Sequence, residues 1–284
     1  MWIPPYLAQT VCFLCAQESG RTFYGGTAFW VMKKEDDCPD LGWGYLVTAK
    51  HCVEKAFERY GNLSCRINKR DGGVKFIPLP SLSGWHISDD ADVAVLPFEV
   101  PEKETDLMSI PPDTFLTDEM IQKEAIGLGD EVFLIGLFHL VHGREKNYPI
   151  IRSGIVAAMP DEAFQDEATG LDYRAFLIEV RSIGGLSGSP VFLALKKRGV
   201  EMHPPPRGFN SWTHSLVLMG LIRSHWDLFA KDDHADFTVE GMEKLNTGIA
   251  VVTPMQEVEK VLMNDELRKG RRADVKKYQK ARHL

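Results

Sequence analysis

The chain has 284 residues, 44% of them apolar, with 33 Lys and Arg against 40 Asp and Glu for a formal net charge of −7 at pH 7. That balance fits one or two globular domains with a real core. Five cysteines are too few for a disulfide scaffold, and no stretch approaches the roughly 20 apolar residues needed to span a bilayer.

The first residues, Met1-Trp2-Ile3-Pro4-Pro5-Tyr6, have neither a positive n-region nor a long apolar run, so no signal peptide is expected and the expected address is cytoplasmic. Strand candidates follow at 10–16, 22–32, 44–48, 65–69, 75–78 and 92–98, short apolar-rich runs with turn signals between them. Residues 100–124 bear Pro101, Pro111 and Pro112 and read as a connection between two halves. A second set of candidates lies at 131–137, 150–157, 176–180, 190–195, 215–223 and 248–252. Thr253-Pro254-Met255-Gln256 then reads as a capping box, with Met255, Val258 and Leu262 as the apolar stripe of a helix docked on the second half. Cys12 and Cys15 invite a redox or zinc reading. A three-residue offset along a strand points them to opposite faces, however, and no second Cys-x-x-Cys follows, so no metal site is expected.

Three short motifs carry chemistry. His51 follows the strand-like Leu46-Val47-Thr48; Asp92 abuts the apolar run from Val93 to Phe98; Ser187 sits between glycines in Gly185-Leu186-Ser187-Gly188-Ser189-Pro190. A serine hydroxyl needs an adjacent base to act as a nucleophile, and a buried carboxylate holds the base in its working tautomer. The charge that develops on a substrate carbonyl needs preorganised donors, here assigned to the backbone N–H groups of Gly185 and Ser187. Ser189 is the rival nucleophile, but it precedes Pro190 and is confined to extended backbone. Asp89 and Asp90 are the rival acids.

With these residues in order, the chain resembles the chymotrypsin-like (trypsin-like) serine peptidases, closest to the bacterial and organellar members that fold without a zymogen step. Thr48-Ala49-Lys50-His51-Cys52 resembles the family's Thr-Ala-Ala-His-Cys, and Asp92 to Leu96 its Asp-x-Ala-x-Leu strand. Gly185 to Pro190 resembles its Gly-Asp-Ser-Gly-Gly-Pro. Gly25-Gly26-Thr27-Ala28-Phe29, Arg152 to Val156 and Thr247 to Ala250 agree in order. The resemblance implies an all-β fold of two antiparallel six-stranded barrels with the active site in the cleft between them, plus a C-terminal helix. Residues 1–112 would form the first barrel with His51 and Asp92, residues 113–263 the second barrel and closing helix with Ser187, and residues 264–284 a basic helical or frayed tail. Leu186 stands where zymogen-activated members have an aspartate, and no cysteine near Tyr24 is there to pair with Cys52.

The family's primary pocket would be based on Arg181, walled by Ser182, Ile183 and Gly184 and, opposite, by Arg223 and Ser224. An arginine at its base favours an acidic side chain before the scissile bond; the rival is a small or apolar preference shaped by Ile183. The expected function is a serine endopeptidase acting through an acyl-enzyme on protein or peptide substrates, without metal or organic cofactor, with control by a partner protein compatible with the missing zymogen switch. The alternative is a catalytically silent module that binds protein or nucleic acid. The tail from 268 to 284 holds eight Lys and Arg against Asp274 alone, leaving 25 basic and 39 acidic residues and about −14 on the body. It can contact nucleic acid or merely sit solvated against that body.

Overall fold

The computed structural model describes residues 3–101, 103–138, 141–165, 172–180, 186–195, 216–228 and 245–282. In the first half, β1 (Val11–Glu18), β2 (Arg21–Glu35) and β3 (Cys38–Thr48) form a meander. Then come helix α1 (Lys50–Tyr60), β4 (Ser64–Asn68), β5 (Val74–Pro78), β6 (His86–Ile87) and β7 (Ala94–Pro97). They make one sheet in the order β5-β4-β1-β2-β3-β7-β6. The closed six-stranded barrel expected here is not what forms: the sheet has seven strands, and its edges β5 and β6 share no ladder. Those edges are consecutive in the chain. Residues 79–85 join them through a 3-10 turn at Leu82–Gly84, with Leu79 and Trp85 buried, and the seventh pairing that would close the sheet is not made.

The second half opens with α2 (Asp118–Lys123), where Thr117 Oγ1 accepts from the Met120 amide as an N-cap. It continues through β8 (Glu131–Leu137), β9 (Pro149–Ala158), the short pair β10 (Phe164–Gln165) and β11 (Asp172–Tyr173), then β12 (Phe176–Glu179), β13 (Pro190–Ala194), β14 (Leu216–Leu228) and β15 (Leu245–Pro254). Six of these close a barrel, β12-β15-β14-β13-β8-β9.

Side-chain alternation explains why the two halves stay together. In β8, Val132 and Leu134 point into the barrel, while Phe133, Ile135 and Leu137 belong to the core of the first half. Val191 and Leu193 of β13 face inward, and Phe192 and Ala194 outward; Phe133 and Phe192 stack with centroids 5.3 Å apart. This face of the barrel is therefore buried on both sides, which is why these strands read as continuous apolar runs rather than alternating ones. The connection between the halves is hydrogen-bonded to each: the Met32 amide donates to the Ile110 carbonyl at 2.8 Å, and the Leu116 amide to the Leu218 carbonyl at 3.0 Å.

Helix α3 (Met255–Leu262) begins without a side-chain cap. Thr253 remains in β15, paired with Leu221, so the expected capping box is not made. Met255, Val258 and Leu262 are buried in the core of the first half, and α3 touches β7 as well as β14 and β15, bridging the halves rather than docking on the second alone. Helix α4 (Asp265–Arg282) takes up the basic tail. Leu267, Arg271 and Val275, one turn apart, form its buried stripe. The Arg271 guanidinium, 1% exposed, pairs with Glu35 and donates to Tyr45 Oη and the Leu262 carbonyl at 2.9 Å each. Among the described residues no helix is long and apolar enough to cross a membrane.

Candidate functional site

The register of β3 against β7 brings His51 to Asp92. Thr48 pairs with Ala94 in an antiparallel ladder, so the chain three residues after Thr48 meets the chain two residues before Ala94. Asp92 Oδ2 lies 2.7 Å from His51 Nδ1, and Asp92 Oδ1 accepts the His51 backbone N–H at 2.9 Å. His51 is the second residue of α1, whose N-cap, Ala49, offers no side chain to its orphan amides. The carboxylate supplies that acceptor from outside the helix and sits at the positive end of its dipole.

Burial opposes the charged imidazolium, but the bond to Asp92 and the neighbouring Cys52 outweigh it and push His51 up to about 10. Burial likewise opposes ionisation of Asp92. The bonds and charge of His51, with Arg223 nearby, reverse that and hold its carboxyl below the ordinary range. At neutral pH the pair is thus an imidazolium and a carboxylate. Asp89 and Asp90 make no such bond.

Ser187 reaches the same place from the other half. Its carbonyl accepts from the Thr27 amide at 2.9 Å, and Gly188 N–H donates to the Ile222 carbonyl at 2.8 Å, tying the loop to β2 and β14. Gly188 has φ of +80°, and a Cβ there would lie 2.1 Å from the Thr27 carbonyl oxygen and 2.3 Å from Thr48 Oγ1, so only glycine fits. Ser187 and His51 line one cavity of about 310 Å³. Among the described residues Ser187 Oγ makes no hydrogen bond to His51. Nε2 instead faces Cys52 Sγ at 3.6 Å. The Ser187 amide likewise has no hydrogen-bond partner among the described residues. Ser189, the rival nucleophile, is fully buried, its Oγ unpaired in the slot that Gly136 leaves open. Leu186 is buried beside it, which explains an apolar residue at that position.

Arg181, Ser182, Ile183, Gly184 and Gly185 lie outside the described residues. Arg223 is placed beside Asp92: its guanidinium sits 3.9 Å from the Tyr173 ring centroid, and it lines a cavity of about 180 Å³ with Asp90, Asp92 and Arg174. Ser224 is exposed.

Three features escaped the sequence reading. Thr27 is a junction: besides binding Ser187, its carbonyl accepts from Thr48 Oγ1 at 2.8 Å and its hydroxyl from the Leu137 amide at 3.0 Å. Arg66 of β4, 2% exposed, clasps the other half by donating to the carbonyls of His142 and Gly143 and to Asn147 Oδ1 at 2.7–2.8 Å. No local signal marks that contact, because its partners are 76 to 81 residues away. The third is a bulge at Leu14 and Cys15 against β2, which leaves Gly25 as the extra residue at the cavity wall. All five cysteines are free and buried; burial, with Cys65 close by, pushes the Cys15 thiol up to about 12. Among the described residues no group of three or more His, Cys, Asp and Glu is arranged to hold a metal ion.

A scan against protein-family models and a search of curated proteins each returned no match to this chain.

Proposed function

We propose that the chain is a serine endopeptidase of the chymotrypsin-like type, with Ser187 as nucleophile, His51 as general base and acid, and Asp92 as the orienting carboxylate. The observation that carries this is the two-point contact of Asp92 with the His51 ring and backbone, facing a cavity that Ser187 shares from the other half. The seven-stranded sheet is then an incompletely hydrogen-bonded counterpart of the closed barrel, and the junction between them is the substrate cleft.

In the reaction, Ser187 Oγ attacks the scissile carbonyl carbon while its proton passes to His51 Nε2. Collapse of the tetrahedral intermediate breaks the C–N bond, and Nε2–H gives the proton to the leaving amine. Water, deprotonated by the same nitrogen, then releases the acyl group and restores Oγ–H. The Ser187 amide, which has no hydrogen-bond partner among the described residues, is available as an oxyanion donor. Because the resting imidazole is held protonated, Nε2 must first lose its proton, so kcat/KM rises with pH past the ordinary imidazole range toward about 10.

One observation favours a second reading, a silent binding module or a peptidase gated by a partner: His51 Nε2 is not joined to Ser187 Oγ. A peptide-library digest separates the two. Cleavage by the wild-type chain that disappears in Ser187→Ala supports the peptidase. Intact peptides, with or without added cell extract, refute it in favour of the silent module.

A further inference from the structure

The cavity shared by His51 and Ser187 extends away from them between the β1–β2 hairpin and α1. We propose that it selects peptide substrates carrying an acidic side chain in the first residues after the scissile bond. The inference rests on the serine-peptidase reading and adds the substrate class to it.

The direction of the cavity follows from the chemistry. His51 hands its proton to the leaving amine from Nε2, so the leaving segment lies on the Nε2 side of the ring. Nε2 faces Cys52 Sγ at 3.6 Å, and Cys52 is part of this cavity and not of the one beside Asp92. At about 310 Å³ the space is at the small end of ligand pockets, roughly 300–1,000 Å³, enough for a residue or two of peptide.

Its lining gives the preference. One part of the lining is a stack of the half-buried Phe23 on Tyr60, centroids 4.8 Å apart. Lys55 and Arg59, one turn apart on α1, are exposed at the rim. Among the described residues neither forms an ion pair, Arg59 lying over the Tyr60 ring at 5.4 Å from its centroid, and no Asp or Glu lines the cavity. That is notable in a chain with 40 acids against 33 bases. The cavity beside Asp92 shows the contrast, since Asp90, Asp172 and Glu257 there offset Arg174, Arg223 and Lys260. Two unneutralised cations beside an aromatic wall fit a carboxylate on a short side chain, and Arg59 can pair with it bidentately.

The test uses the full chain and peptides identical up to the scissile bond, with Glu, Gln or Lys in the two following positions, read by mass spectrometry. Glu peptides should be cleaved on the order of tenfold faster in kcat/KM than Lys peptides, with Gln between, as two partly exposed charge pairs allow, and added salt should narrow the gap. Lys55→Glu with Arg59→Glu should invert the order, and the milder Lys55→Gln with Arg59→Gln should flatten it. Equal cleavage of all three peptides by the wild type, or an order unchanged in both variants, overturns the proposal. Wild-type turnover of an activated ester with no residue in its leaving group separates the two failures. Ester turnover without the Glu preference defeats this inference alone, and no ester turnover defeats the peptidase reading with it.

Discussion

Asp92→Asn removes one negative charge while leaving an amide of nearly the same shape. Its carbonyl can still accept the His51 backbone N–H, so the cap on α1 survives; what is lost is the ionic bond of 2.7 Å to Nδ1. A hydrogen bond to a charged partner is worth about 1.5–3 kcal/mol, which in a chain this long lowers Tm by roughly 3–12 °C. The loss depends on pH in a way that identifies its origin. His51 has a folded pKa above its ordinary 6.5, so its contribution is complete below 6.5 and is lost as pH rises through about 10. Asp92 has a folded pKa below its ordinary 3.8, so its contribution is present above 3.8 and is lost as pH falls through the lowered value. The gap in Tm between wild type and variant is therefore widest between 3.8 and 6.5 and narrows on both sides. Thermal melts at about pH 3, 5 and 9 measure it. A gap that is the same at all three, or no gap, refutes the ion pair. If the peptidase reading holds, the same variant loses roughly 10⁴ in kcat, the size of effect a wrong imidazole tautomer produces.

Gly188→Ala forces a Cβ onto the Thr27 carbonyl at a positive φ and should cost more than about 4 kcal/mol or prevent folding, read by chemical denaturation. Ser189→Ala deletes a buried hydroxyl with no partner, so stability should hold or rise by about 1 kcal/mol and any hydrolytic activity should persist. A loss of activity there would move the nucleophile to 189. Arg271→Met strands Glu35 beside an apolar side chain and should destabilise by about 3–5 kcal/mol, with α4 amides exchanging faster with solvent than in the wild type.

Much of this architecture is written locally in the chain. Strand β8 runs over the 131–137 predicted for it, because both of its faces are buried and the apolar run has sharp ends. The approach of His51 to Asp92 was legible for a related reason: each stands at the end of an apolar strand, and two antiparallel strands bring opposite ends together. Helix α1 was overlooked although Val53, Ala56, Phe57 and Tyr60 show the helical period, since the strand before it dominates that stretch. Strand β14 runs on to Leu228 through Ser224, His225, Trp226 and Asp227, a mixed stretch too short of apolar alternation to read as strand, held by pairing to β15. Thr253 looked like a helix cap, yet tertiary pairing kept it in a strand. Arg271 was hidden in a run of cations. Only its spacing of four from Leu267 and Val275 distinguishes it from its solvated neighbours. The Arg66 clasp has no short-range signature at all.

The central claim is that the Ser187 hydroxyl is made nucleophilic by the His51–Asp92 pair, and covalent labelling tests it most directly. A fluorophosphonate probe incubated with the wild-type chain, followed by peptide mapping, should place the phosphonyl group on Ser187, and Ser187→Ala should take up none. Adduct on any other residue, or labelling that persists in the variant, contradicts the account.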